Sequence, residues 1–178
     1  MIPAILLGLL AMLPAERSSE VQSVKHRVTG LFSREREDDL REAVKRMKDV
    51  TLVSIDFDTA EVVFSYDPAK LFPQTKEKDL LERFDNLLKT NSSHTFGVWP
   101  LCATPKDKLT RLEIPVVGLD CKGCCLAAYE TVSKIDGVEQ ATASFKEGRV
   151  TALVDSTKTN RTALEEALKK RGVALKSP

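Results

Sequence analysis

The chain has 178 residues, of which 42% are hydrophobic and 30% are charged, a composition typical of folded globular proteins. The 27 Lys and Arg residues and 26 Asp and Glu residues give a net charge of +1 and are interleaved, so the sequence gives no reason to expect a nucleic acid partner. Four cysteines are too few for a disulfide scaffold. Three of them fall within five positions, which indicates a site.

The chain begins with an apolar run from Ile2 to Leu13. A transmembrane helix needs about 18 or more such residues, so the run is too short to span a bilayer. It resembles the apolar core of a secretory signal followed by a small residue, Ala15, although no basic residue precedes it. We expect residues 1–18 to be an export signal or N-terminal anchor. The protein would then be periplasmic or otherwise extracytoplasmic, and would contact a membrane only through this segment if it is uncleaved; without such a signal it would be cytoplasmic.

The rest of the chain contains two similar units at an offset of 88 residues, without a gap from Val24 to Asp67. The apolar register is kept over more than 40 residues, which favours a duplicated domain over chance. We predict a first domain at 20–100, a linker at 101–110 and a second domain at 111–178. One set of matching helical positions is Leu40, Val44 and Met47 over Ala128, Val132 and Ile135.

Each unit has the pattern strand, helix, strand, tight turn, strand, helix, strand. This is the ferredoxin-like β-α-β-β-α-β plan, so the predicted fold class is α+β: two domains in tandem, each a four-stranded antiparallel sheet with two helices on one face. Gly148 is expected in the second hairpin, Asn160 or Thr159 as the cap of the last helix, and Gly172 just after that helix. The predicted strands are 21–28, 50–57, 61–66, 94–99, 111–117, 138–145, 149–154 and 173–176, and the predicted helices are 34–48, 76–90, 124–135 and 160–170.

Cys121 and Cys124 lie where the first strand of the second unit runs into a helix. A helix N-terminus stabilises negative charge and lowers the pKa of a thiol, so thiolates are favoured there. Thiolates select soft or borderline ions, and two of them suit linear coordination. A structural or incidental cysteine pair is the alternative.

The second unit resembles the heavy-metal-associated domain family, which includes copper chaperones, the N-terminal domains of soft-metal P-type ATPases and the periplasmic mercury-binding protein. The resemblance covers about residues 110–176 and rests on Gly118-Leu-Asp-Cys-Lys-Gly-Cys124 and on Gly137-Val138 after the helix. Leu119 replaces the usual Met core plug, Asp120 replaces a small polar residue, and Val173 stands where copper chaperones often have Tyr or Lys. The resemblance implies a metal-transporting ATPase or another thiol-containing metal protein as partner.

The predicted metal ligands are therefore Cys121 and Cys124, with Cu(I) the favoured ion and Hg(II) or Zn(II) as alternatives. Zn(II) would need further donors because it takes about four ligands. Cys125 shares a helix face with Ala128 and Val132, so we expect a small buried residue, with a third ligand as the alternative. Cys102 lies before the strand that leads to the site and is expected to be an exposed spare thiol.

The first unit lacks these ligands, because Ser33 and Arg36 stand at the positions of Cys121 and Cys124. We expect it to fold independently and to bind no soft ion. His26 is predicted to be a core histidine rather than a ligand, and the charge run from Arg34 to Asp39 to be the solvated start of a helix with no interaction motif.

The leading functional hypothesis is a metallochaperone or carrier that is not an enzyme. It would hold a soft ion between Cys121 and Cys124 and pass it on by ligand exchange. One alternative is a thiol-disulfide redox protein that uses the same pair, although no Trp-Cys-Gly-Pro-Cys pattern is present. Another is a protein-interaction module whose metal site is vestigial.

Overall fold

The computed structural model describes residues 20–176, which fold into two successive α/β units. The first contains β1 (Gln22–Thr29), α1 (Arg36–Lys45), β2 (Val50–Asp56), β3 (Glu61–Tyr66), α2 (Pro68–Leu71), α3 (Leu80–Asn91) and β4 (Gly97–Trp99). The second contains β5 (Leu109–Val117), α4 (Lys122–Ser133), β6 (Val138–Ser144), β7 (Arg149–Asp155), α5 (Arg161–Lys170) and β8 (Ala174–Leu175). Single turns of 3-10 helix occur at Glu77–Asp79 and Lys106–Lys108.

Each unit forms one four-stranded antiparallel sheet. The strand orders are β2-β3-β1-β4 and β6-β7-β5-β8, so the two sheets have the same topology. Their registers also correspond, since Val62 pairs with His26 and Ile55 as Val150 pairs with Ile114 and Ala143. The predicted fold, two ferredoxin-like domains in tandem, is confirmed.

Each sheet buries one face beneath its helices. In the first domain, Leu40 and Val44 of α1 and Phe84 and Leu88 of α3 pack with Val28, Val62 and Phe64. In the second domain, Ala128 and Val132 of α4 and Leu164 and Leu168 of α5 pack with Ile114, Val150 and Ala152. The second core also contains one side chain from the first domain, Phe32.

In the second domain, the helix cap and two glycines occupy the positions that the sequence predicts. Asn160 caps α5, and its side-chain oxygen accepts a hydrogen bond of 3.1 Å from the backbone N–H of Ala163. Gly172 follows that helix with a φ of 87°, and Gly148 sits in the hairpin with a φ of 58°. Both angles lie in the left-handed region, where glycine has no Cβ to clash.

Several element boundaries differ from the prediction. Helix α4 begins at Lys122, two residues earlier than expected, so Cys121 is its N-cap and Cys124 lies in its first turn. Strand β5 begins at Leu109, within the predicted linker. Strand β4 begins only at Gly97, because Ser93 and His94 adopt positive φ angles that a strand cannot contain.

In the described residues, no helix is both long enough and apolar enough to cross a membrane. The apolar run from Ile2 to Leu13 and the export signal predicted from it lie outside the described residues.

Candidate metal centre

The cysteine loop connects the C-terminal end of β5 to the N-terminal end of α4. Leu119 is only 4% exposed and packs in the core of the second domain, as expected of a residue that plugs the loop. Cys121 is the extended N-cap residue, with φ −148° and ψ 163°, and its sulfur accepts a hydrogen bond of 3.2 Å from the backbone N–H of Cys124. The buried leucine and the helix cap together fix where the two thiols lie.

The two predicted ligands lie side by side at the surface. The Sγ atoms of Cys121 and Cys124 are 2.8 Å apart, and both thiols are free. Cys121 is exposed and Cys124 is half-buried. An ion can therefore reach the pair from solvent, and so can a thiol of another protein.

The surroundings favour a thiolate on Cys121. A hydrogen bond from the Cys124 thiol, followed by bonds from the backbone N–H groups of Cys124 and Gly123, lowers the pKa of Cys121, and the charge of Asp120 opposes the change. The hydrogen bond to Cys121, together with burial, raises the pKa of Cys124. The pair thus loses its first proton readily, and the resulting charge is shared in the bond between the two sulfurs.

Cys125 does not share the surface with the other two. Its side chain is only 3% exposed and packs in the core with Ala128 and Val132, in agreement with the expected buried position. Burial raises the pKa of its thiol. Within residues 20–176, no group of three or more His, Cys, Asp and Glu side chains is arranged to hold an ion.

Cys102 corrects one expectation. It is half-buried rather than exposed, and its thiol donates a hydrogen bond of 3.1 Å to the carbonyl oxygen of Thr104. Burial raises the pKa of its thiol, and the carboxylate of Glu139 acts in the same direction. The thiol is covered because the linker lies against the second domain, where the Thr104 hydroxyl donates to the carboxylate of Asp155 over 2.7 Å.

The corresponding loop of the first domain is built differently. Arg36, at the position of Cys124, places its guanidinium over the rings of Phe32 and Phe96, at 5.3 and 4.9 Å from their centroids, and pairs with Asp39 at 2.6 Å. His26 is 8% exposed and lies 3.3 Å from the hydroxyl of Tyr66, which confirms it as a core histidine. His94 is exposed.

The charge run from Arg34 to Asp39 is largely the solvated start of α1, as the sequence predicts. Much of it is solvated, but Glu35 forms an ion pair of 3.8 Å with Lys146 of the second domain, and the Phe32 ring just before the run enters the second core. Both side chains of that ion pair are 70% exposed, so the contact between the domains rests on Phe32, which precedes the run and which the sequence did not mark as an interface residue. The available signal was Phe32 itself, a large apolar residue where the second copy has Asp120.

Comparisons with known proteins agree with the motif. Residues 113–172 match the family model of the heavy-metal-associated domain. No curated protein matches the sequence.

Three solved structures illustrate the similarity. The N-terminal soluble domains of Bacillus subtilis CopA are 22% identical, with 90% of this chain and 95% of that chain covered and a TM-score of 0.36. Oxidized MerP from Ralstonia metallidurans CH34 is 22% identical, with 38% and 94% covered and a TM-score of 0.37. The Cu(I)-loaded N-terminal domain of a potential copper-translocating P-type ATPase from Bacillus subtilis is 28% identical, with 38% and 85% covered and a TM-score of 0.37.

The matched segment begins within β5 and contains the cysteine loop, α4 and α5. It ends at Gly172, two residues after α5. Over residues 113–172 the chain therefore matches the heavy-metal-associated domain, and for this segment the resemblance seen in the cysteine motif is confirmed.

Proposed function

We propose that the second domain is a soft-metal carrier, which binds one heavy-metal ion between Cys121 and Cys124 as cargo and passes it to a partner by thiolate exchange. The observation that carries this proposal is the position of the two sulfurs, 2.8 Å apart at the solvent-facing N-terminus of α4. The family match of residues 113–172 supports heavy metal as the class of cargo.

The donor set favours ions that accept two thiolates. Metal–thiolate bonds of about 2.3 Å in a linear arrangement place the sulfurs about 4.6 Å apart, so the two side chains must separate when an ion enters. The surface position of Cys121 leaves room for this movement. Cu(I) is the favoured ion, followed by Hg(II), whereas Zn(II) needs donors from a second molecule.

A two-coordinate ion also explains how the cargo can leave. A partner thiol gives up its proton and its thiolate bonds to the ion, so that three sulfurs are bound for a short time. The bond to Cys121 or Cys124 then breaks, and the released thiolate takes up a proton. A second exchange completes the transfer without any change of oxidation state. This exchange requires a partner with an accessible thiol, and the family resemblance points to a metal-transporting ATPase or another thiol-containing metal protein.

The proposal is tested by measuring Cu(I) affinity in competition with a chelator. The Cys121→Ser, Cys124→Ser double variant is a well-matched probe because serine is itself a good N-cap, so helix α4 should persist while both soft ligands are lost. We expect the affinity to fall by several orders of magnitude while the far-ultraviolet circular dichroism stays unchanged. An affinity equal to that of the parent chain would refute the carrier.

A thiol-disulfide redox protein remains the second candidate, because the exposed Cys121 with its lowered pKa beside Cys124 suits thiol exchange as well. Reduction of insulin disulfides by the reduced chain separates the two functions. The carrier predicts a rate no higher than that of the double serine variant, whereas a rate abolished by the two substitutions would favour the redox function.

A further inference from the structure

The first domain contacts the second through the segment that matches the cysteine loop. We call residues 30–36 of the first domain the docking loop. Its Phe32 is 7% exposed and packs in the core of the second domain, with its ring centroid 5.8 Å from that of Tyr129 on helix α4. A side chain of one domain therefore completes the core of the other.

Polar contacts surround this ring. The backbone N–H of Gly30 donates to the Tyr129 hydroxyl over 2.8 Å, and the N–H of Ala143 donates to the carbonyl oxygen of Phe32 over 3.0 Å. Ala143 belongs to β6, the edge strand of the second sheet, so the docking loop bonds to an edge that would otherwise be unpaired at this position.

Two further residues of the second domain hold the contact from the same edge. The side-chain amide of Gln140 donates to the carbonyl oxygens of Leu31 and Phe57, over 3.3 and 3.2 Å. Glu139 forms a half-buried ion pair with Arg27, whose guanidinium also donates to the Glu139 carbonyl oxygen over 3.2 Å. Removing one partner of a pair so little exposed leaves the other charge poorly solvated and unpaired, so the pair favours this placement of the domains.

One of the two residues at the ligand positions supports this contact. Arg36, at the position of Cys124, stacks over the ring of Phe32 from the side of the first domain. Phe32 stands at the position of Asp120. Where the second domain has its cysteine loop, the docking loop thus has an aromatic side chain supported by a guanidinium.

The contact is specific to this pair of domains. In the first sheet, Thr51 and Leu52 stand at the positions of Glu139 and Gln140, and the second loop has Asp120 in place of Phe32. The corresponding strand and loop therefore lack the residues that make the contact, so a second contact of the same kind cannot form between the two domains.

We propose that the docking loop is a dedicated interaction surface whose partner is the second domain, and that it makes the two domains one cooperative folding unit instead of the independently folding domains expected from the sequence. The role of the first domain is then to hold β6 and helix α4, which contains Cys124. The coupling concerns the chain without an ion, so its test does not depend on whether the proposed cargo is correct.

Amide hydrogen exchange in β3 of the first domain tests the coupling. Leu168 is fully buried in the second core on α5, so Leu168→Ala destabilises the second domain by leaving a cavity. If the domains open together, exchange in β3 should accelerate by about tenfold or more in this variant of the full chain. Unchanged exchange in β3 would overturn the proposal.

A second variant removes the interdomain contacts of β6. It gives Glu139 and Gln140 the residues found at the matching positions of the first domain, Thr and Leu. In Glu139→Thr, Gln140→Leu the first domain is untouched, and we expect Leu168→Ala to leave β3 exchange nearly unchanged. Phe32→Ala should decouple the domains in the same way, whereas Phe145→Ala, the same change at an exposed phenylalanine of the second domain, should preserve the coupling. Equal acceleration in the parent and in the edge variant would assign the coupling to something other than the docking loop and would overturn the proposal.

Discussion

At the scale of single residues, burial gives two adjacent cysteines different environments and therefore different chemistry. Cys124 and Cys125 are neighbours in sequence, but successive helical residues point about 100° apart, so one reaches the surface and the other the core. Burial raises the pKa of Cys125, and its side chain packs with Ala128. Three cysteines within five positions therefore give only two candidate ligands at the surface.

The first prediction concerns the third cysteine. Cys125→Ala should leave Cu(I) affinity within about threefold of the parent chain, because the buried sulfur does not reach the surface pair. X-ray absorption of the Cu(I) form, in monomeric protein free of added thiols, should show two sulfur ligands in parent and variant. Three sulfurs in the parent falling to two in the variant would instead describe a trap that holds its ion.

His26 is the second residue whose surroundings determine its behaviour. Its ring stacks on Phe84 at 4.8 Å between centroids and lies 3.3 Å from the Tyr66 hydroxyl. Burial lowers the pKa of His26 to about 4. The unfolded chain takes up this proton near pH 6.5, whereas the folded chain resists it until about pH 4, so stability is lost as the pH falls through that range.

We therefore predict that acid destabilises the first domain through His26. Between pH 7 and pH 4 the free energy of unfolding should fall by about 3 kcal/mol more in the parent chain than in His26→Phe, which keeps a ring against Phe84. Urea unfolding at both pH values measures the difference, and carboxylates cancel because both chains carry them. Tyr66→Phe, which retains the histidine, should keep the full acid effect. Parallel pH profiles for the parent and His26→Phe would contradict the assignment.

At the scale of elements, capping residues determine where the helices of the second domain begin. Helix α4 is capped by the sulfur of Cys121, and α5 by the side chain of Asn160. The first cap is also a proposed metal ligand, so the start of α4 and the position of the candidate site are the same structural feature. By contrast, α1 begins only at Arg36, the position of Cys124, and its N-cap, Glu35, makes no side-chain capping bond.

The cap of α5 gives a prediction for one element. Asn160→Ala should lower the free energy of unfolding by about 1 kcal/mol, because the N–H of Ala163 loses its partner. Asn160→Asp should retain most of the stability, since aspartate caps equally well. Denaturant unfolding measures both variants, and an alanine variant as stable as the aspartate variant would show that the bond contributes nothing.

At the scale of the whole molecule, two domains of the same fold have divided their roles. The second presents two thiols at its surface, and the first uses the equivalent loop to cover an edge of its neighbour. Linker and interface act together, since Thr104 binds Asp155 while Arg27 binds Glu139. The domains are therefore equal in topology and different in chemistry.

This division predicts the stoichiometry of the chain. The reduced protein should bind one Cu(I) or Hg(II) ion with high affinity, because Ser33 and Arg36 provide no soft ligand in the first domain. Native mass spectrometry during titration counts the ions directly. The Cys121→Ser, Cys124→Ser variant should bind none with comparable affinity, and a second tight ion in the parent chain would contradict the division.

The sequence by itself determined the fold of both domains and the identity of the candidate ligands. The apolar periodicity of strands and helices, the glycines in the hairpin turn and after the last helix, and the Cys-x-x-Cys spacing are local features, so residues close in sequence suffice to predict them. For the same reason, the sequence alone shows that Ser33 and Arg36 offer no soft ligand at these positions.

Only the tertiary structure decided what the first domain does with its altered loop. Phe32, Arg27 and Cys102 are placed by contacts with residues that lie far along the chain, among them Tyr129 and Glu139. Such contacts depend on how two finished domains pack, and hydrophobic period carries no information about that packing. An aromatic residue in a charged loop looks exposed in sequence, and it is buried here because the neighbouring domain supplies the rest of its core.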